Sequence, residues 1–126
     1  MTIAEVSKKF GLTADTLRYY ERIGLIPPVR RSSSGIRDYD EKDCNWVEFI
    51  KCMRGAGLPV EMLIEYVALF GQGHDTIAAR KALLVEQRQQ LAEKIVTMQS
   101  VLERLDNKIE GYEEHCLEWE KENLSK

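Results

Sequence analysis

Hydrophobic and polar positions recur with a helical period along most of the chain. Ile3, Val6 and Phe10 share one face and predict a first helix. Thr2 and Glu5, three apart, form a capping-box pattern at its start. Gly11 suits the left-handed position that ends a helix, and Thr13 suits the cap of the next. Helices over 3–10 and 14–23 with almost no linker read as a helix-turn-helix spanning 2–23. On the second helix Leu17, Tyr20 and Ile23 face inward, while Thr16, Arg18, Tyr19 and Arg22 face outward. A helix that shows arginine and tyrosine while hiding leucine suits an anionic groove.

The pattern then breaks at Gly24. Leu25-Ile26-Pro27-Pro28-Val29 cannot be helix, because proline lacks an N–H and restrains its predecessor. Arg30-Arg31-Ser32-Ser33-Ser34-Gly35 is a basic turn, and Ile36-Arg37-Asp38-Tyr39 reads as a returning strand. Two short strands around that tip predict a wing over 25–39. Serine and glycine tips are commonly plain surface loops, but arginines and hydroxyls here also suit phosphate. A third helix is expected over 40–56, with Trp46, Val47, Ile50 and Met53 inward. A fourth is expected over 59–70, with Pro59 at its first position and Met62, Leu63, Tyr66, Leu69 and Phe70 on its apolar face.

From Asp75 onward there is no proline, and the only glycine is Gly111. Leu91, Ile95, Met98, Leu102, Leu105, Ile109, Tyr112 and Cys116 alternate in steps of four and three, a heptad seam. Ile95, Leu102 and Ile109 take the a sites; Leu91, Met98, Leu105 and Tyr112 take the d sites. β-Branched residues at two of the a sites beside d leucines favour two strands, a rule established for parallel pairs. Extended back, the phase places Ile77 and Leu84 at d but Lys81 and Arg88 at a, so the seam weakens toward the head. One helix over 75–112 would run about 57 Å and leave its stripe in water unless a second copy covers it. Folding back onto its own head is the alternative. The expected dimer interface is Leu84, Leu91, Ile95, Met98, Leu102, Leu105, Ile109 and Tyr112. The tail over 113–126 is acidic, with Leu117, Trp119 and Leu124 interspersed, and either extends the coil or packs on a neighbour.

Charge sharpens this division. The 126 residues carry a net charge of −3, yet residues 1–37 hold seven Lys or Arg against three Asp or Glu. Residues 38–126 hold eleven against eighteen. A basic head and an acidic, solvated remainder follow. No run reaches the ~18 apolar residues of a membrane span, and the N-terminus lacks a secretory pattern. Three cysteines, Cys44, Cys52 and Cys116, with no CxxC pair, point to reduced thiols in a cytoplasm. His115 and Cys116 are adjacent on a helix and splay apart, a poor chelate, so neither a metal nor another cofactor is expected. With no Gly-rich phosphate loop, no HExxH and no nucleophile–base set, an enzyme is not expected either.

The runs Leu17-Arg18-Tyr19-Tyr20-Glu21, Gly24-Leu25-Ile26-Pro27-Pro28 and Gly35-Ile36-Arg37-Asp38-Tyr39 resemble the signature of MerR-type transcription regulators. The resemblance continues through Ile50-Lys51-Cys52-Met53-Arg54 and Gly57-Leu58 into the coil. It implies a mainly α protein with a winged helix-turn-helix head over 1–73, and a dimerisation helix over 74–112 forming an antiparallel two-stranded coiled coil. It also implies binding to double-stranded promoter DNA with an overlong spacer, which is untwisted and bent so that RNA polymerase engages both promoter elements. The expected DNA contacts are Thr13, Thr16, Arg18, Tyr19 and Arg22 from the helix pair. From the wing they are Arg30, Arg31, Ser34, Arg37 and Tyr39.

Cys52 matches the single cysteine of a subgroup that resembles regulators of aldehyde, nitrosothiol and thiol stress. Chemically, a thiolate attacks such electrophiles, and Lys51 and Arg54 lie beside it in sequence. The competing reading is a buried small hydrophobe. The same DNA-binding dimer would then answer to a small apolar ligand or a protein.

Overall fold

The computed structural model describes residues 1–124, so the last two residues of the expected tail lie outside the described ones. The protein is mainly α, with a winged helix-turn-helix head and a long C-terminal helix. Its compact units are Met1–Val85 and the residues from Glu86 onward. None of its described helices is long and apolar enough to cross a membrane.

In the first unit α1 (Ile3–Phe10) opens with the reciprocal box. The Glu5 N–H donates to Thr2 Oγ1 at 3.1 Å and the Thr2 N–H to Glu5 Oε1 at 2.9 Å. Thr13 caps α2 (Ala14–Ile23), accepting the Thr16 N–H at 3.0 Å. Gly24 ends α2 with φ 86°, a conformation other residues resist. The Leu25 N–H bonds back to the Tyr20 carbonyl, and the chain turns so that Leu25 and Ile26 enter the core. The proline segment is therefore part of the core wall. Its buried aliphatic side chains each contribute about 1.5–3 kcal/mol relative to exposure.

Asp40 and Asp43 form a second capping box at the start of α3 (Glu41–Gly55). Then α4 (Val60–Gln72) follows, with Pro59 at the cap. These helices lie within two residues of the expected 40–56 and 59–70. Gly71 lies inside α4, and Gly73 ends it. The core joins Val6, Leu17 and Tyr20 to Val47, Ile50 and Leu63. Trp46 stands edge-on to Phe49, Tyr66 and Phe70, with centroids 6.1, 6.0 and 5.1 Å away. Phe70, expected inward, is exposed at the rim of that cluster, with the Arg80 guanidinium over its ring. A single 3₁₀ turn, His74–Thr76, leads into α5 (Ile77–Ile109).

Among the described residues the wing contains no strand. Arg31 and Arg37 form one isolated antiparallel bridge. The Ser32 N–H donates to the Ile36 carbonyl at 2.7 Å and the Asp38 N–H to the Arg30 carbonyl at 2.8 Å. The hairpin is too short to be more, since only three residues separate Pro28 from its turn at Ser32.

The second unit carries the rest of α5 and then α6 (Tyr112–Asn123). The single helix expected over 75–112 is broken, because α5 ends at Ile109 and Gly111 adopts φ 68°. Tyr112 thus belongs to α6. Ile95, Met98, Leu102, Leu105, Ile109 and Tyr112 are exposed, and Leu91 is half-buried.

Candidate nucleic-acid interface

Helix α2 presents the expected face. Thr13, Arg18, Tyr19 and Arg22 are exposed, Thr16 is half-exposed, and Leu17 and Tyr20 are buried. Two contacts shape this face. Arg18 donates to the Asp15 carboxylate at 2.8 Å, one turn back. The Arg22 guanidinium lies over the Tyr19 ring, 5.5 Å from its centroid, in cation–π geometry. The Thr13 and Thr16 hydroxyls are 2.8 Å apart. Arginine, tyrosine and threonine groups ranged along one exposed face of a helix are the donor set that reads base edges and phosphates in a major groove.

The wing arginines divide into two kinds. Arg30 is 76% exposed and pairs loosely with Asp38 at 3.1 Å. Arg31 is 48% exposed, and Ser34 lies at the open tip. Arg37 is only 20% exposed and its Nε donates to Glu21 Oε1 at 2.6 Å. A guanidinium held that way tethers the wing to α2 instead of standing free. Asp38, in turn, accepts from the Met1 amine at 3.2 Å and from Arg30, and both hold its carboxyl below the usual range.

Two residue expectations need correction. Tyr39, expected at the DNA, is 1% exposed and belongs to the core. Its N–H pairs with the Met1 carbonyl as the chain enters α3, which turns the ring inward. Its buried hydroxyl has no partner. Leu84, expected at the dimer seam, packs with Leu83 against the core of the first unit. Near the head that helix face serves the head's own core, consistent with Lys81 and Arg88 already weakening the seam.

Two functional candidates were missed. Asp15 could have been paired with Arg18 from their spacing of three. Glu21 could not, because its partners Val29 and Arg37 lie eight and sixteen residues on.

Cys52 is exposed on α3, which removes the reading of a buried small hydrophobe. The flanking cations serve the fold: Lys51 Nζ donates to the Phe10 carbonyl, and Arg54 to the Leu58 carbonyl at 2.7 Å. Cys44 is buried with its Sγ 3.8 Å from Met1 Sδ, and Cys116 is half-buried. Among the described residues no group of three or more His, Cys, Asp or Glu side chains could hold a metal ion.

A helix-turn-helix with an arginine- and tyrosine-bearing second helix and a basic wing defines a DNA-binding protein. Comparison with known proteins places it further. A family model described as "MerR HTH family regulatory protein" matches residues 1–69, and one described as "MerR, DNA binding" matches residues 45–108. The chain is 66% identical over 93 residues to the HTH-type transcriptional regulator AdhR of Bacillus subtilis (strain 168). That match spans 74% of this chain and 66% of AdhR, a little under two thirds of that relative. The crystal structure of a MerR-family transcriptional regulator from Listeria monocytogenes superimposes with a TM-score of 0.88 at 48% identity, covering 97% of this chain and 92% of that one. HiNmlR, a MerR family regulator lacking the sensor domain and bound to promoter DNA, gives 0.82 at 29% identity, covering 90% of each chain. The chain belongs to the MerR family: it is a DNA-binding transcriptional regulator of the AdhR- and NmlR-like kind, and not an enzyme.

Proposed function

We propose that the chain works as a homodimer that binds a pseudo-palindromic element in promoter DNA and deforms it, and that an electrophile acting at Cys52 switches it. The observation that carries the DNA reading is the outward face of α2, where Arg18, Tyr19 and Arg22 stand exposed above buried Leu17 and Tyr20. Residues 1–73 serve as the reading head. The apolar stripe from Leu91 to Tyr112, exposed from Ile95 onward, serves dimerisation, and the tail from 113 stays accessory. Two heads in two-fold relation require half-sites in matching relation. RNA polymerase enters only through the shape of the promoter, where smooth bending costs about 1–6 kcal/mol, a sum that protein contacts offset. With promoter DNA as partner, the cytoplasm is the place of action.

The HiNmlR complex with promoter DNA supports the DNA reading by similarity. Exposure of Cys52 and similarity to AdhR support the switch. Arg18→Ala is expected to cost about 1–3 kcal/mol of operator affinity with helix content unchanged. Fluorescence anisotropy checks this, and unchanged affinity would remove α2 from the interface. Cys52→Ser is expected to keep DNA binding and lose the response to an added aldehyde in a promoter-reporter assay. Full induction in that variant would support a small apolar ligand instead. An open groove of about 500 Å³, lined by Ile23, Ile26, Pro27, Ile64 and Val67, is the place for one.

A further inference from the structure

Glu21 is an acidic residue inside the helix that offers arginines to DNA. Its carboxylate is 13% exposed and points at the wing, not at solvent. Oε2 accepts the Val29 N–H at 2.7 Å, on the outgoing arm. Oε1 accepts Arg37 Nε at 2.6 Å, on the returning arm, and lies 4.0 Å from the Arg31 guanidinium. One carboxylate thus touches both arms of the hairpin and anchors them to α2.

The wing itself explains why an anion is needed. Arg31 and Arg37 face each other across the isolated bridge. Like charges directly opposite on paired strands repel, and a one-bridge hairpin has little ladder to resist them. Glu21 is the shared counter-ion. Burial, the largest single influence on it, pushes its carboxyl up. The hydrogen bonds from Arg37 and Val29 and the charges of Arg37 and Arg31 outweigh this and bring it below its ordinary value. The group therefore stays ionised near neutrality, where the arginines need it.

We propose that Glu21 is a positioning residue for DNA binding, fixing the wing against α2 so that Arg30 and Arg31 meet phosphates in register with the reading face. This rests on the DNA reading above and adds to it a part for a residue that need not touch DNA. The distinctive consequence is one of sign. On charge alone, removing a carboxylate from a basic surface strengthens binding to a polyanion. If Glu21 positions the wing, removing it weakens binding.

The test uses the full chain and a duplex that the wild-type protein selects from a random-sequence pool. Affinity is measured by anisotropy over a potassium chloride series. Glu21→Gln is expected to lower affinity about tenfold and to flatten the slope of log affinity against log salt by about 1 for each wing that lets go of a phosphate. A mere loss of folded protein would reduce the active fraction and leave the slope alone. In an Arg30→Ala, Arg31→Ala background the further effect of Glu21→Gln is expected to vanish, because the wing is already released. Equal or tighter binding by Glu21→Gln, or the same loss in both backgrounds, overturns the proposal. Circular dichroism checks folding. Should Glu21→Gln fail to fold, Glu21→Asp takes its place: one methylene shorter, it cannot span both arms and is expected to show the same flattened slope, while an unchanged slope overturns the proposal. If the wild-type chain selects no duplex at all, it is the DNA reading that fails.

Discussion

Ile95→Asp combined with Leu102→Asp is expected to turn the protein into a monomer and to weaken binding to a two-half-site operator by roughly 10²–10⁴-fold, the gain that linking two modules brings. Both positions are a sites of the seam, and both are exposed within the chain. A polar residue at a single a site is tolerated at some cost in stability. Two carboxylates per chain in the middle of an apolar seam demand desolvation with no opposite charge among the seam residues. Within the isolated chain these side chains are exposed, so the substitutions leave the fold of the reading head intact. Light scattering over a dilution series reads the mass, and anisotropy reads the affinity. A variant that stays dimeric would remove the seam from the interface, and with it the argument for a pseudo-palindromic site.

Leu17→Ala is expected to cost about 2–5 kcal/mol of stability, the range for truncating a buried leucine where neighbours cannot collapse into the space. Leu17 is fully buried and shares its core with Val6, Val47 and Ile50. It moors α2 from beneath, on the side opposite Arg18 and Arg22. Denaturant unfolding should show a lower midpoint with an unchanged slope. Well below that midpoint, operator affinity should stay close to wild type, because the reading face is untouched. A loss under 1 kcal/mol would mean that α2 is held by something other than this core. Leu17→Ala and Arg18→Ala, at adjacent positions of one helix, are thus expected to separate loss of stability from loss of operator affinity.

The positions of the helices were legible because their signals are local. Thr2 with Glu5 caps α1 as their spacing demands, and Gly24 ends α2 where the pattern breaks. The inward and outward faces of α2 followed from period alone. The wing was legible as a basic hairpin but not as a single bridge, because how far two arms pair depends on what anchors them. Gly111 was visible as a lone glycine, yet the heptad count ran across it. A seam pattern records only which residues are apolar, and a left-handed glycine can break the helix without disturbing that alternation.

By itself, then, the sequence determined the class of the protein, the order and approximate ends of α1 to α4, the polar face of α2 and the apolar stripe along α5. All of these rest on interactions between residues within about four positions of one another or on a repeated period. Tertiary structure decided which polar and apolar groups change allegiance. It took Tyr39 into the core, packed Leu84 against that core, brought Cys52 to the surface, and made Glu21 the counter-ion of Arg37 sixteen residues away. Burial and long-range pairing depend on which elements lie side by side, and no local pattern carries that.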